Sequence, residues 1–388
     1  MSFVADHIAN LSPSMTLAIT SQAAKLKAEG HDVCSFGAGE PDFDTPDYIK
    51  EAAMRALAEG KTKYTASNGL PDLRKAISAK LLVDNSLEYG PDQICVSCGA
   101  KHAIFNALLA TCAPGDEVVI PAPYWTSYPE MVRIVGATPI IVETSRENGW
   151  KITAEQFEEV MSPATKMIII NSPGNPTGAV YTREELEAIG EVAASEDILI
   201  LSDEIYEKMV YDETEHVSTA SINDELRGIT ITVNGFSKAY SMTGWRLGYT
   251  AAPEEIATAI DTIQSHSTSN PTTFAQYGGI AALEGDPQLL IDMVGEFDVR
   301  RQFMLKRLSG INNINVVEPK GAFYFLIDIE PMLIKSVNFA EKLLSRMRVA
   351  VVPGVAFGAE YTVRMSYAAG LDVIAEGLER FEEFCRQH

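Results

Sequence analysis

The sequence predicts an α/β protein with a large domain, built on a mostly parallel central sheet flanked by helices, and a smaller α+β domain. Three observations carry this. Short β-branched runs alternate with amphipathic stretches through the middle of the chain, which is the pattern of strand–helix–strand units. The pattern changes near Leu290, where a long charged amphipathic helix opens a different kind of segment. The length of 388 residues exceeds one simple core and suits a large unit with a smaller one.

Residues 14–29 read as a helix stopped by Gly30, followed by an extended run over 33–36 and a loop over 37–42. Strands are expected over 93–97, 117–120, 138–142, 166–171, 198–203 and 229–233, with a further one over 247–251. Helices are expected over 100–110, 153–161, 182–195, 253–265 and 272–283. Thr182-Arg-Glu-Glu185 has the form of a capping box, with Thr at the cap and Glu three residues on. After the helix over 290–308 comes an apolar run over 322–328, then helix, strand and a terminal helix. There are no internal repeats and no low-complexity segments.

Composition narrows the function. Hydrophobic residues make up 46% and charged residues 22%, as in an ordinary globular protein. A net charge of −22 argues against nucleic acid and anionic membrane as partners, because both need a basic face. An anionic substrate would then need local Arg and Lys against an unfavourable overall field. No apolar run approaches a membrane span and residues 1–10 carry no signal-peptide pattern, so a cytoplasmic protein is expected. Five cysteines without framework spacing are expected as thiols. Cys95-Val-Ser-Cys98 matches a C-x-x-C pattern, but no second ligand pair follows, and buried thiols at a strand end are the plainer reading. No metal site is expected.

The most informative segment is Gly235-Phe-Ser-Lys-Ala-Tyr-Ser-Met-Thr-Gly-Trp-Arg-Leu-Gly248. Lys238 follows Ser237 among small residues, on a short constrained stretch. Arg246, eight residues on and framed by glycines, offers the planar fork that binds phosphate oxygens. A lysine amine held near a phosphate-binding arginine suits Schiff-base chemistry. Alone, either residue reads as a surface cation on a loop. The whole segment resembles the lysine motif of the fold-type I pyridoxal-phosphate aminotransferases.

The resemblance spans nearly the whole chain. Gly39-Glu-Pro-Asp-Phe-Asp-Thr-Pro46, Lys63-Tyr64, Tyr124-Trp-Thr-Ser-Tyr-Pro129, Asn171-Ser-Pro-Gly-Asn-Pro-Thr-Gly178, Ser202-Asp-Glu-Ile-Tyr206 and Val352-Pro-Gly354 fall in the family's order. The chain looks most similar to bacterial aspartate aminotransferases of class I, subgroup Ib. That resemblance implies pyridoxal 5'-phosphate as cofactor, with Lys238 as catalytic Schiff-base residue. It divides the chain into an N-terminal segment over 1–45 packing with a small domain over 290–388, and a large cofactor-binding domain over 46–289.

Each demand of the cofactor then has a candidate. Asp203, at a strand end, would hold the ring nitrogen's proton, although an Asp there reads equally as a turn former. Tyr206 and Asn175 would donate to the phenolic oxygen, although 171–178 also reads as a plain turn. Gly99, Ala100 and Lys101 open a helix whose backbone amides would bind phosphate, with Arg246 and Ser237. Trp125 would face the ring, though by itself it reads as a packing residue. Arg364, in Tyr361-Thr-Val-Arg-Met-Ser-Tyr367, would take the substrate's α-carboxylate. By itself it is an ordinary strand arginine. Gly39 matches a substrate-site position. Lys101 matches the family's cation for the second carboxylate of aspartate, with hydroxyls of Ser14 and Thr16 nearby. Tyr64 matches a tyrosine that reaches the neighbouring subunit's phosphate, which implies a homodimer with shared active sites.

Two positions depart from the family pattern. Gly235 stands where many members have Ser, and Ser12 where several relatives have Lys before a Pro-Ser pair. The resemblance implies ping-pong transamination of L-aspartate with 2-oxoglutarate. The alternatives are a prephenate, aromatic or alanine aminotransferase or a pyridoxal-phosphate-dependent C–S lyase. A non-catalytic sensing relative would need a basic helix-turn-helix extension, and a nucleotide-binding analogue would need a G-x-G-x-x-G after an early strand.

Overall fold

The computed structural model describes residues 3–9, 11 and 15–388. Seven strands form one sheet in the order Ile94–Ser97, Gly248–Ala251, Thr230–Gly235, Leu199–Asp203, Thr165–Asn171, Glu117–Ala122, Thr138–Glu143. The last five run parallel. Gly248–Ala251 lies antiparallel to both of its neighbours, so Ile94–Ser97 again points with the five. The expected strands are all present with small shifts at their ends. The reversed direction of one was not expected, because a strand's apolar pattern reads the same from either end.

Side-chain alternation covers both faces of the sheet. Val118, Ile120, Met167, Ile169, Leu201 and Val233 pack with Ala103, Ile104 and Ala107 of the helix Ala100–Thr111. Their sequence neighbours Val119, Ile168, Ile170 and Ile200 pack the other way, on Leu186, Ile189 and Ala193 of Arg183–Ser195. That helix starts with the expected box: Glu185 N–H donates to Thr182 Oγ1 (3.3 Å) and Thr182 N–H to Glu185 Oε2 (2.8 Å).

Among the described residues, five helices were not named from the sequence: Asp6–Ala9, Asp47–Ala58, Pro71–Asn85, Tyr128–Ile134 and Asp224–Ile229. Asp47–Ala58 buries Ile49, Ala53 and Ala56, and alanines give a faint apolar stripe. Pro71 sits at the first helical position, where its missing N–H leaves nothing unpaired.

A second sheet is antiparallel, in the order Val352–Pro353, Thr362–Ser366, Tyr324–Asp328, Asn315–Val316. Cys34–Ser35 pairs in parallel with Val349–Ala350, which joins two segments more than three hundred residues apart. The aromatic core under these strands contains Phe297, Phe323, Phe325, Phe339, Phe381 and Phe384. Gln288–Leu308 is anchored by two consecutive arginines: Arg300 reaches Asp42 at 2.7 Å, and the fully buried Arg301 reaches Asp212 at 2.9 Å and Glu318 at 2.8 Å. No described helix is long and apolar enough to cross a membrane. All five cysteines are free thiols. Cys95 is buried and its thiol is pushed up to about 12 by that burial, whereas Cys98 is only partly covered, so the pair is not uniformly buried.

Candidate active site

The parallel strands end on one edge, and register places Asn171 beside Asp203 there. That edge, the turn after Gly235 and the sheet carrying Arg364 surround a cavity of about 470 Å³. Its lining includes Thr16, Gly39, Ala100, Lys101, Trp125, Asn175, Asp203, Tyr206, Ser237, Lys238, Arg246 and Arg364. The structure thus brings together residues up to several hundred positions apart in sequence. Gly99 lies just outside the lining, next to Arg246. Tyr64 does not line the cavity and is 87% exposed. Ser14 and Ser12 lie outside the described residues.

Lys238 projects from the turn that follows Thr230–Gly235. Its Nζ donates to the carbonyl oxygen of Gly39. The ammonium sits 5.7 Å from the Tyr206 ring centroid and 5.9 Å from that of Phe323. Burial pulls its pKa down to about 8; Arg364 and Arg246 add to the fall, while Glu40 and Asp203 oppose it. An amine so placed loses its proton readily, which a nucleophile or base requires.

Asp203 is buried. Its Oδ2 accepts from the Tyr128 hydroxyl at 2.5 Å and its Oδ1 from the Ile205 N–H at 3.2 Å. Burial raises the carboxyl to about 6, and these two bonds hold it from rising further. Tyr128 was quoted within a motif but not singled out. Its place three residues after Trp125 was the available signal: the Tyr128 N–H donates to the Trp125 carbonyl at 3.0 Å, closing a turn before the helix, and the two rings meet edge to face, 5.2 Å apart.

Asn171 Nδ2 donates to the Asp203 carbonyl (2.9 Å) and Asn171 Oδ1 accepts from the Asn175 N–H (2.9 Å). Asn175 Oδ1 in turn accepts from Arg364 Nη1 at 2.9 Å, while Arg364 Nη2 donates to the Gly37 carbonyl at 2.9 Å. Arg364 is buried, its guanidinium 4.4 Å from the Tyr324 ring centroid. Its Nε is buried without a hydrogen-bond partner among the described residues. A buried guanidinium nitrogen left unpaired is a donor awaiting an acceptor. Tyr324 also shares a 2.8 Å hydrogen bond with Tyr206, so this unremarked residue positions two others.

At the other end, Ala100 and Lys101 begin the helix Ala100–Thr111, whose first amides have no intrahelical partner. Arg246 lies against them. Its backbone is left-handed (φ 54°), and its Nη1 donates to the Thr243 carbonyl at 2.9 Å. Gly99, at φ +90°, permits this approach, since a Cβ there would lie 2.5 Å from Arg246 Nη2. Lys101 lies 4.9 Å from the Trp125 ring centroid. Partial burial, then Arg246, lowers its pKa.

The cavity thus has an anion-binding end, a buried carboxylate, a reactive amine and a buried guanidinium. These are the groups a phosphorylated pyridine aldehyde and an amino acid require together. The sequence as a whole matches the model of the aminotransferase class I and II family over residues 31–380. The chain belongs to the class I and II aminotransferases. It is 48% identical over 388 residues to an aspartate aminotransferase of Bacillus sp. (strain YM-2), covering 99% of each chain. It is 49% identical over 385 residues to a probable aspartate/prephenate aminotransferase of Aquifex aeolicus, covering 98% of each. A solved aspartate aminotransferase of Thermus thermophilus with maleate superposes with a TM-score of 0.95 at 41% identity, covering 99% of this chain and 100% of that one. The chain is therefore a pyridoxal-phosphate-dependent aminotransferase of fold type I, an enzyme that takes small amino acids and 2-oxo acids.

Proposed function

We propose that this aminotransferase converts L-aspartate and 2-oxoglutarate to oxaloacetate and L-glutamate. The observation that carries the reading is the placement of two cations, Lys101 and Arg364, around one cavity that also contains Lys238. A dicarboxylic amino acid has two carboxylates to pair, and a second buried carboxylate is costly unless it is paired and hydrogen-bonded. Relatives that carry aspartate in their names support the same choice.

When bound, pyridoxal phosphate supplies an aldehyde carbon that carries the amino group and a ring that draws electrons from the substrate's Cα. The protein's part is binding, orientation and proton movement. The amides of Ala100 and Lys101, with Gly99 keeping the approach open, would hold the phosphate together with Arg246 and Ser237. Asp203 would keep a proton on the ring nitrogen, and Tyr206 and Asn175 would donate to the ring's phenolic oxygen. Trp125 would cover the ring and face the substrate. Arg364 would take the α-carboxylate, beside Gly39 and Asn175, with Lys101 and Thr16 at the second carboxylate. Lys238 Nζ would accept the Cα proton as base and, as acid, would deliver it to the cofactor carbon that carries the amine. Its low pKa supports that double role. The ping-pong order follows from one amine being passed through one cavity.

We further propose a homodimer in which Tyr64 serves the neighbouring subunit's phosphate. The exposure of Tyr64, outside its own cavity, supports this. The five free thiols support a cytosolic location. Division into a segment over 1–45 with 290–388, and a larger unit over 46–289, is supported by the pairing of Cys34–Ser35 with Val349–Ala350.

A substrate panel on purified holoenzyme tests the reading, with aspartate, glutamate, alanine, an aromatic amino acid and prephenate compared by kcat/KM. Aspartate and glutamate should lead. A clear preference for alanine or an aromatic donor would replace the aspartate assignment.

A further inference from the structure

We infer that Glu40 receives the ammonium group of the incoming amino acid and makes the two halves of the reaction unequal. The inference rests on the transamination reading above. The charged lining of the cavity is Lys101, Lys238, Arg246 and Arg364 against Asp203 and Glu40. Asp203 is buried and already accepts from Tyr128 and the Ile205 N–H. Glu40 is the exposed carboxylate. Thr243 Oγ1 donates to its Oε2 at 2.7 Å, and among the described residues no hydrogen bond or cation within ion-pair distance reaches Oε1.

Its position relative to the reacting amine is what matters. Lys238 Nζ donates to the carbonyl of Gly39, the residue directly before Glu40. Transamination exchanges one amine for another at one place, so the substrate's amine must arrive where the lysine amine sits. It arrives as an ammonium at a cavity where Lys101 and Arg364 are left as cations facing the substrate once Lys238 and Arg246 are engaged with the cofactor, and both repel it. Glu40 supplies the opposite charge on the open side. Among the charges that act on Lys238, Glu40 ranks first after burial itself, so its carboxylate acts electrostatically on that place. A 2-oxo acid brings carboxylates and no ammonium, and the same Glu40 repels it. Glu40 thus favours capture of the amino acid over capture of the oxo acid, while its bond to Thr243 keeps it on the loop between Lys238 and Arg246.

Two variants of the holoenzyme test this, Glu40→Gln and Thr243→Val. Half-reactions are followed by rapid mixing with aspartate or with 2-oxoglutarate. In Glu40→Gln, kcat/KM for the amino acid should fall about twofold to fivefold, the scale of one exposed, partly screened charge pair, and the oxo acid should be unchanged or faster. Calorimetry supplies a readout independent of turnover. α-Methylaspartate, which has the ammonium but no Cα hydrogen, should bind more weakly by the same factor, and succinate, which lacks the ammonium, should not. The difference should shrink in high salt. Thr243→Val keeps the carboxylate and should keep the discrimination. Equal loss of both probes in Glu40→Gln, or the same asymmetry in Thr243→Val, would overturn the inference in favour of a role in loop structure. Failure of the aspartate reading is seen separately in the wild-type panel, and the asymmetry is then measured with whichever amino acid and oxo acid the panel selects.

Discussion

Tyr128 donates its hydroxyl to Asp203 Oδ2 across 2.5 Å, and both groups are buried. A short bond to a buried carboxyl does two things. It favours the ionised form of Asp203 against the pull of burial, and it fixes which way the other oxygen faces.

Tyr128→Phe should therefore raise the Asp203 pKa further and loosen its hold on the cofactor ring. A hydrogen bond to a charged group is worth about 1.5–3 kcal/mol, so kcat should fall roughly tenfold to a hundredfold. Substrate KM should change little, since Arg364 is untouched. Steady-state kinetics checks this, and a loss confined to KM would place Tyr128 with the substrate instead.

The pH dependence of the cofactor-free protein follows from Asp203. Its folded pKa, about 6, lies above the ordinary carboxylate value of 3.8, so the native state binds the proton more tightly than the unfolded state. The stabilising contribution is complete below the lower value and is lost as pH rises through about 6, on the order of 3 kcal/mol in all. Denaturant midpoints of wild type and Asp203→Asn, compared between about pH 4 and pH 7, isolate this residue from the general repulsion of an acidic chain. The wild type should lose stability relative to the variant as pH rises. Parallel curves would remove Asp203 as the cause. The same variant with cofactor bound should turn over far more slowly, because an amide cannot balance a protonated ring nitrogen.

Replacing Lys101 by Ser should weaken aspartate and glutamate turnover and leave alanine nearly unaffected. Alanine lacks the second carboxylate, so it never engages this cation. The ratio of specificity constants should move roughly tenfold to several hundredfold, from one charge-assisted bond of about 1.5–3 kcal/mol. An equal fall for aspartate and alanine would mean that Lys101 serves the cofactor or the helix start.

Mixing Tyr64→Ala with Lys238→Ala tests the shared site. Each variant alone should be nearly inactive, and Lys238→Ala should no longer hold the cofactor covalently after borohydride treatment. Hybrid dimers should regain one complete site. Subunit exchange without any recovered activity would show that Tyr64 acts within its own chain.

Much of the fold was legible because it is local. Alternating apolar residues marked the strands, and Thr182 with Glu185 marked a helix start that the structure reproduces bond for bond. The site was legible in part for the same reason: Lys238 and Arg246 lie eight residues apart on one loop, so their chemistry could be read without knowing the path of the chain.

The rest depended on tertiary structure. The direction of Gly248–Ala251 is set by where the preceding turn leaves the chain, and apolar alternation has no direction. Tyr128 meets Asp203 across 75 positions, Tyr206 meets Tyr324 across 118, and Asn175 meets Arg364 across 189. Each pair joins side chains whose own sequence neighbours hold no record of the other. By itself the sequence determined the chemical groups and the elements that carry them, because propensity, periodicity and capping act over a few residues. Only the packing of the two sheets decided which group holds which, because a hydrogen bond depends on distance in space and the chain crosses that distance by a route no local pattern encodes.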